Sequence, residues 1–378
     1  MSSLKDAPRA LLIAPPVYDF ALYDLHIAPF GLVRVGRAFE AAGYRTELVD
    51  ALSTEDERSR IRLGTPKRRA DGTGKLFRKR VGWPLGAYPL DRPFGRYGIE
   101  EESLKERIGA AFSGERPDVV LVTSGMTYWY PGVVEAVQLA RTVYPRVPVV
   151  VGGVYATLLP EHCAAATGAD FVAVGSSLAR AAGFLEARGL PAPAAPEGEQ
   201  HPGVPDAPSV VPSGRGSAAI RLNRGCPYRC DYCAANVLCP TFSPGHPETS
   251  FAEVRRLFEQ QGIRNFGFYD DALLVGKRAV FSRFLELVAT RWPRTQAAAG
   301  RRDATSGESG GACIQSTGPS FYLPNAVHMR HLDEDTARLM KEAGVGEVRL
   351  GFESDSEDFH QEHNAGAGTA GTKTGRAT

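Results

Sequence analysis

The sequence has no apolar run long enough to cross a membrane, and its opening residues, Met-Ser-Ser-Leu-Lys-Asp, lack the apolar core of a secretion signal. Charge of one sign is not in excess either, because 44 Lys and Arg residues stand against 43 Asp and Glu residues. The resulting net charge of +1 gives no general attraction for nucleic acid or acidic membranes. We therefore expect a cytoplasmic protein that binds neither membrane nor nucleic acid.

Cysteine is scarce, with six among 378 residues, but three of the six are grouped as Cys226, Cys230 and Cys233. This C-x3-C-x2-C spacing lets three thiols converge on one metal centre, one fewer than an ordinary iron-sulfur cluster uses. A cubane held by three cysteines keeps an open iron position, which is typical of a catalytic metal site. Two alternatives stay open: a zinc site completed by Cys239 or His246, or three unrelated buried thiols.

The length and the 43% hydrophobic content suit two globular domains. Residues 1–188 alternate apolar strand patterns with helical ones, which predicts a parallel sheet covered on both faces. The strands are predicted at 10–16, 46–49, 119–123, 147–151 and 171–174, and helices at 30–42 and 133–144. Residues 53–98, polar and rich in Gly and Pro, are predicted to be an irregular insertion.

Residues 189–216, rich in Pro, Ala, Gly and Glu, are predicted to be a linker. Residues 217–363 repeat the alternation. Strands are predicted at 218–223, 265–269, 321–329 and 347–352, and helices at 251–261, 279–290 and 333–343. Polar residues follow the second and fourth strands, at the strand ends where barrel enzymes place their chemistry. Residues 364–378 form a low-complexity tail.

The cysteine motif, with Tyr232 before its last cysteine, resembles that of the radical S-adenosylmethionine (SAM) superfamily. The resemblance continues in Phe-Tyr-Asp-Asp-Ala-Leu-Leu at 268–274, Leu-Pro-Asn-Ala-Val-His at 323–328 and Leu-Gly-Phe-Glu-Ser at 350–354. It implies that the three cysteines hold a 4Fe-4S cluster, whose open iron binds SAM and whose electron cleaves SAM to a 5′-deoxyadenosyl radical. It also implies an electron donor such as flavodoxin or ferredoxin.

The same resemblance implies a set of SAM-binding residues. It places Asp270 and Asp271 beside the SAM amino group, where a carboxylate suits an ammonium group. It places Glu353 and Ser354 near the ribose and methionine portions, and Tyr232 near the adenine. Helix N-capping is the alternative for the acidic strand ends, and the two roles can coexist.

Residues 1–188 resemble the Rossmann-like cobalamin-binding domain that precedes the catalytic domain in one branch of this superfamily. The resemblance is carried by Ala-Pro-Pro at 14–16, Pro-Phe-Gly-Leu at 29–32, Ser124, and Val-Gly-Gly at 151–153. Small residues at strand ends let a flat corrin lie against the sheet edge, so the resemblance implies cobalamin contacts at Ser124, Gly152 and Gly153. A Rossmann-like domain without a ligand is the alternative.

His26 lies in a partial match to a second cobalamin-binding motif. Asp24-Leu-His26 matches the start of the Asp-x-His-x-x-Gly motif that supplies an axial histidine in cobalamin mutases, but Pro29 occupies the glycine position. We therefore predict that His26 is an ordinary loop histidine rather than a cobalt ligand.

The second half also departs from its family. A radical SAM barrel normally has six strand-helix units, and four are recognisable here. Residues 295–320, rich in Gly, Ser and Ala, stand where a short connection is expected. We therefore expect an incomplete barrel, truncated or out of frame at its C-terminal part, with its fourth strand exposed as an edge.

The leading function is a radical SAM enzyme that uses cobalamin for methyl transfer through methylcobalamin, or for a radical rearrangement, on an unactivated carbon. Its small-molecule or peptide substrate is not defined by the sequence. The second candidate is a non-catalytic remnant that binds an iron-sulfur cluster, cobalamin or both. The third, tRNA methylthiolation, requires cysteines in the N-terminal domain, and residues 1–162 contain none.

Overall fold

The computed structural model describes residues 7–82, 93–175, 179–193, 210–212, 216–230, 232–294, 318–351, 356 and 358. Their strands are β1 Arg9–Ala14, β2 Val17–Asp19, β3 Tyr23–Asp24, β4 Arg45–Asp50, β5 Gly74–Lys75, β6 Arg78–Arg80, β7 Gly95–Tyr97, β8 Val119–Ser124, β9 Val149–Gly153, β10 Phe171–Ala173, β11 Val210–Pro212, β12 Ser217–Ile220, β13 Asn223–Arg224, β14 Ser243–Pro244, β15 Asn265–Phe268, β16 Ser320–Tyr322, β17 Val327–His328 and β18 Leu350–Gly351. Their α-helices are α1 Phe30–Ala41, α2 Glu57–Leu63, α3 Glu101–Ala110, α4 Tyr130–Val143, α5 Val154–Leu158, α6 Pro160–Thr167, α7 Ala179–Glu186, α8 Ala235–Leu238, α9 Pro247–Gln261, α10 Arg283–Arg291 and α11 Glu334–Ala343.

The N-terminal half is built on a five-stranded parallel sheet in the order β10-β9-β8-β1-β4. β1 and β8 are buried along nearly their whole length, because helices cover both faces of the sheet. α3 and α4 pack on one face, and α1 and α7 pack on the other. The Rossmann-like α/β fold predicted for this half is confirmed. The strand order reverses between β1 and β8, and open α/β sheets bind their ligands at the carboxyl side of such a point.

Close packing at this edge requires a glycine at the start of α4. A Cβ atom on Gly132 would lie 1.8 Å from the carbonyl oxygen of Pro16, in the loop that follows β1. A side chain at position 132 would push α4 away from the loop. Glycine therefore allows α4 to pack closely against the edge of the sheet.

The segment 53–98 has more structure than the irregular insertion that the sequence predicted, although residues 83–92 lie outside the described part of the chain. It contains α2, whose N-terminus is capped by the Asp56 carboxylate, 2.8 Å from the amide of Ser59. It also forms two strands of an antiparallel sheet ordered β2-β7-β6. Strands of two or three residues are too short to give a recognisable apolar alternation.

The second half is built on a smaller sheet ordered β11-β12-β15-β16, in which β12, β15 and β16 are parallel. β11, inside the segment predicted as a linker, adds an antiparallel edge. The core beneath is aromatic: Phe268 lies between Phe281, Phe284 and Phe321, with ring centroids 5.6 to 5.9 Å apart. α9, α10 and α11 also contribute side chains to this core.

The third and fourth predicted strands take a different form from the expectation. The third divides into β16 and β17, and the fourth is the two-residue β18, which pairs in parallel with β17 rather than extending the main sheet. Leu350 of β18 is 45% exposed. Among the residues that the structure describes, no helix is long and apolar enough to cross a membrane.

Candidate functional site

The three grouped cysteines lie on the loop that leaves β12. Cys226 is buried, Cys230 is half-buried and Cys233 is exposed. Burial raises the pKa of the Cys226 thiol, and the nearby Asp271, Cys233 and Cys230 raise it further. Within the described residues, no three His, Cys, Asp or Glu side chains are spaced to hold a metal ion. The donor set nevertheless suits an iron-sulfur cluster, because three thiols on one loop interact with each other and soft thiolates are its preferred ligands.

Asp270 fixes the start of this loop. Its carboxylate accepts hydrogen bonds from the backbone amides of Leu222, at 3.1 Å, and Asn223, at 2.5 Å. Burial raises the pKa of Asp270 to about 7, although the two amides oppose the shift. Both carboxylate oxygens accept hydrogen bonds from backbone amides of the loop. Asp270 therefore contributes to the site by holding the backbone of the cysteine loop in place.

Gly225 shapes the next turn of the loop. Its φ of +71° lies in the left-handed region, and a Cβ atom there would lie 2.7 Å from the carbonyl oxygen of Thr241. Any other residue would be strained and would also collide with that backbone. The glycine therefore lets the chain turn tightly into Cys226.

A second anchor joins the cysteine loop to the segment after β17. The hydroxyl of Tyr228 is hydrogen-bonded to Nε2 of His331, and the two rings are stacked with centroids 5.9 Å apart. Burial, together with His328 and the neighbouring cations, lowers the pKa of His331, which favours the neutral imidazole. Lys277 donates to the carbonyl of His331 and lies 2.6 Å from the carboxylate of Asp333. Three loops at one edge of the sheet are thereby linked.

The other residues predicted to contact SAM divide into two groups. Asp271 is exposed beside the cysteine loop, and its pKa is raised by desolvation against the opposing charge of Arg221. Tyr232 is 53% exposed, on the same loop. Glu353 and Ser354 lie outside the described residues, so their predicted roles stay predictions.

The N-terminal sheet carries an apolar cavity of about 260 Å³ at its carboxyl edge, running down between the sheet and the helices α1 and α7. The cavity is lined by Phe30, Gly31, Leu32, Arg34, Val35, Phe39, Leu121, Val122, Thr123, Val150, Gly152, Gly153, Ala173, Gly175, Ala181, Leu185 and Arg221. Two of the three residues predicted to contact cobalamin, Gly152 and Gly153, are therefore in its wall.

Ser124, the third predicted cobalamin contact, is buried beneath this wall. Its hydroxyl donates to the carbonyl of Gly152, at 2.8 Å, and accepts from the amide of Ala156, at 3.1 Å. A Cβ atom on Gly153, which has a φ of +105°, would lie 2.4 Å from the carbonyl oxygen of Ser124. The Ser124 hydroxyl therefore stabilises the turn formed by Gly152 and Gly153.

The two halves meet directly above these features. The Ala28 amide donates to the hydroxyl of Tyr269, and the rings of Phe30 and Tyr269 are stacked with centroids 5.9 Å apart. The short helix α8, which follows the cysteines, packs on α5, which follows the Gly-Gly turn. The cysteine loop and the cavity edge are therefore neighbours in space.

His26 lies at this same boundary, but away from the cavity lining. Its Nε2 is 3.0 Å from the carbonyl oxygen of Asp71, and its ring centroid is 4.5 Å from that of Tyr322 in the second half. The residue is buried and has a φ of +60°. In the structure His26 is a packing residue between the halves.

Sequence reasoning missed three contributors to the site: Tyr228, His331 and Arg221. Tyr228 lies inside the cysteine motif, and its aromatic ring was the available signal. His331 follows a strand end, as site residues often do. The available signal for Arg221 was its own position, as a charged residue in an otherwise apolar strand pattern, Ala-Ala-Ile-Arg-Leu at 218–222.

Two family models match the chain: the B12 binding domain over residues 97–182 and the Radical SAM superfamily over residues 220–372. No curated protein matches it. Among solved structures it is similar to the radical S-adenosylmethionine methyltransferase TsrM from Kitasatospora setae. One structure of that enzyme has cobalamin and a 4Fe-4S cluster bound, and another has tryptophan substrate and the SAM analogue aza-SAM bound.

The match to the first of these structures has a TM-score of 0.58 and 17% identity, and covers 97% of this chain and 65% of that one. The second has a TM-score of 0.58 and 15% identity, and covers 97% and 63%. At these identities the likeness establishes the fold. The chain spans less than two thirds of the length of the methyltransferase.

Proposed function

We propose that this chain, which belongs to the radical SAM superfamily and carries a B12-binding domain ahead of its radical SAM domain, is a cobalamin-dependent radical SAM methyltransferase. The observation that carries the proposal is the packing of α8 on α5, which brings the cysteine loop beside the Gly-Gly edge of the cavity. A methyltransferase of this kind needs SAM and the corrin at neighbouring positions, since reacting groups must be held in near-attack geometry.

Cys226, Cys230 and Cys233 would hold the 4Fe-4S cluster, which supplies one-electron chemistry on SAM. The chain's own residues position that chemistry. Asp270 holds the start of the loop in place, and Tyr228 anchors its middle to His331. Asp271, exposed beside the loop, is available to accept a hydrogen bond from the SAM ammonium group.

The corrin would lie across Gly152 and Gly153, at the mouth of the cavity. Apolar side chains remain exposed on the elements around α5, namely Met126, Tyr128 and Val237 at 51%, 58% and 63%. Exposed apolar groups gathered at one place are typical of a ligand-binding surface. Covered by a corrin and a substrate, they would exclude water from the reacting groups.

The substrate is a small molecule or peptide, and an electron donor such as flavodoxin or ferredoxin would serve the cluster. Tryptophan is the substrate named for the methyltransferase of similar fold. We propose an aromatic or other apolar substrate for this chain because Tyr128 and Met126 flank the candidate site. The grouping of three of the six cysteines in one motif suits a reducing, cytoplasmic setting.

The test is anaerobic reconstitution of the full chain with iron and sulfide, followed by addition of SAM, hydroxocobalamin and a reductant. We expect one 4Fe-4S cluster, one bound cobalamin, and formation of S-adenosylhomocysteine or 5′-deoxyadenosine detected by mass spectrometry. Binding of both cofactors without either product would favour a non-catalytic role. A colourless protein with stoichiometric zinc would remove the proposal.

A further inference from the structure

Asp19, at the end of β2, lies among aromatic rings at the carboxyl edge of the N-terminal sheet. One of its carboxylate oxygens accepts a hydrogen bond from the indole N–H of Trp129, at 2.7 Å, and the other accepts from the amide of Phe20, at 2.6 Å. The ring of Tyr128 makes an edge-on contact with that of Trp129, with centroids 6.0 Å apart. One carboxylate and two large aromatic rings are therefore gathered at one place.

The charge of Asp19 has no ion pair within the part of the chain that the structure describes. A carboxylate close by shows the contrast. Glu135, which accepts from the hydroxyl of Tyr18, also accepts from the guanidinium of Arg96 at 2.5 to 3.0 Å. Arg78, on β6, donates to a backbone carbonyl and forms no ion pair with Asp19. Glu135 is thus neutralised by a cation of the chain, whereas Asp19 keeps its charge.

Asp19 also keeps room for a further donor. A carboxylate offers about four lone-pair positions, and the two hydrogen bonds of Asp19 use two of them. The neighbouring ring is open to solvent, since Tyr128 is 58% exposed. Burial raises the pKa of Tyr128 and the charge of Asp19 raises it further, so the two side chains are within electrostatic reach of each other. A cationic group suits these surroundings, because it gains a charged hydrogen bond from the carboxylate and a cation–π contact from the rings.

A continuous set of contacts connects Asp19 to the elements assigned to the reaction. Trp129 packs on Gly125, where a Cβ atom would lie 2.7 Å from the indole ring. The carbonyl of Gly125 accepts a hydrogen bond, at 3.1 Å, from the amide of Tyr155 in α5. α5 follows the Gly-Gly turn and packs on α8, the helix after the cysteines. A ligand bound at Asp19 would therefore lie at the same edge as both candidate cofactor positions.

Resting on the proposed function, we propose that the substrate is an amine with an aromatic or apolar body, that Asp19 binds its ammonium group, and that Tyr128 and Trp129 flank it. An ammonium group donates up to three hydrogen bonds, which the two unused positions of the carboxylate can accept. Asp19 would then determine specificity, because a site built around a buried polar contact rejects molecules of the same shape that lack the matching group.

The experiment compares two ligands of the same shape on the full chain by ligand-observed NMR titration. Phenethylamine carries an ammonium group, and phenethyl alcohol has a hydroxyl in its place. The wild-type chain should bind the amine about tenfold more tightly, since a hydrogen bond to a charged group is worth about that factor. Asp19→Asn keeps an oxygen that can accept from Trp129 but loses the charge. It should remove the preference and leave binding of the alcohol unchanged.

Two further variants make the result independent of how well Asp19→Asn folds. Tyr128→Leu, at an exposed position, keeps apolar bulk but removes the π face, so the preference for the amine should fall to about threefold. Glu161→Gln is the matched control, because it removes the same charge from an exposed position on α6. This variant should keep the tenfold preference.

The amine site would be overturned by equal affinity of the wild-type chain for the two ligands, or by binding of neither. A full preference in a folded Asp19→Asn, or in Tyr128→Leu, would also overturn it, as would an equal loss of preference in Glu161→Gln. Cobalamin and cluster loading of the same preparation test the proposed function separately. A chain that prefers the amine but loads neither cofactor would keep the amine site and remove the methyltransferase.

Discussion

The carboxylate of Asp270 lies 2.5 Å from the backbone amide of Asn223 and holds the first turn of the cysteine loop. The two residues are on different strand-loop units, 47 positions apart in sequence. The geometry of the loop is therefore set by a tertiary contact, since Asp270 follows β15, the next strand of the sheet. Asp270 is fully buried in this role, which makes its charge state matter to the fold.

We expect Asp270→Asn to destabilise the chain by about 1–3 kcal/mol, because the new NH2 group cannot accept from one of the two amides. Burial raises the pKa of Asp270 from 3.8 to about 7, so the folded state binds more protons than the unfolded state between these values. Its contribution to stability is thus fully present below pH 3.8 and is lost as the pH rises through 7. Urea denaturation at pH 5 and pH 8 should give a larger difference between wild type and variant at pH 5. An equal difference at both values would contradict the assignment.

Replacing Cys226, Cys230 or Cys233 by Ala should abolish cluster assembly in each case. The cluster needs at least three thiolates, and this motif supplies three. The measurement is iron and sulfide content after anaerobic reconstitution. Cys239→Ala is the matched control on the same loop. The Cys239 thiol donates to the carbonyl of Thr241, at 3.4 Å, and the variant should keep its iron. Loss of iron in the control would favour a fourth protein ligand.

Gly152→Leu should weaken cobalamin binding by at least tenfold, or about 1.4 kcal/mol, because its side chain would occupy the place of the corrin. A Cβ atom at this position meets its nearest neighbour, in Ala173, at an ordinary 3.6 Å, so the melting temperature should change little. Gly153→Leu is unsuitable for this test. That change collides with Ser124, and Gly153→Ala should already lower the melting temperature. Unchanged cobalamin affinity in Gly152→Leu would remove the corrin from this edge.

Tyr228→Phe and His331→Leu should each speed the loss of the reconstituted cluster in air, because the cysteine loop loses its hydrogen bond to the segment after β17. The double variant should be no faster than the quicker single variant, since both remove the same bond. Bleaching of the visible absorbance measures the rate. Tyr155→Phe, in the N-terminal half, serves as the control. Additive effects would indicate that the two residues act separately.

His26→Ala should leave the cobalt spectrum unchanged and lower the melting temperature, because His26 packs against Tyr322 across the boundary between the halves. Burial lowers the pKa of His26 below 6.5, so the neutral form is the one that packs. The contribution of His26 to stability is present above pH 6.5 and is lost as the pH falls. The wild-type melting temperature should therefore fall more than that of His26→Ala between pH 7.5 and pH 5.5. A shifted cobalt spectrum would instead identify an axial ligand.

Sequence patterns predicted the sheets well where strands are long and buried on both faces, as in β1 and β8, because their apolar runs are continuous. They failed where elements are short, as in β6 and β7, since three residues carry no period. At the site, local motifs identified the cysteines and the Gly-Gly turn. The support from Asp270 to Asn223 and from His331 to Tyr228 depends on contacts between distant segments, which spacing along the chain does not record.

The stacking of Phe30 on Tyr269, with the hydrogen bond from Ala28, has a consequence for how the chain can be divided. A protease cut between residues 193 and 210 would break the backbone but leave these contacts intact. We expect the two fragments to elute together, and cobalamin to hold them more firmly. The same contacts mean that a separately produced N-terminal fragment would lack Arg221, one wall of its own cavity, and would expose the Phe30 ring to water.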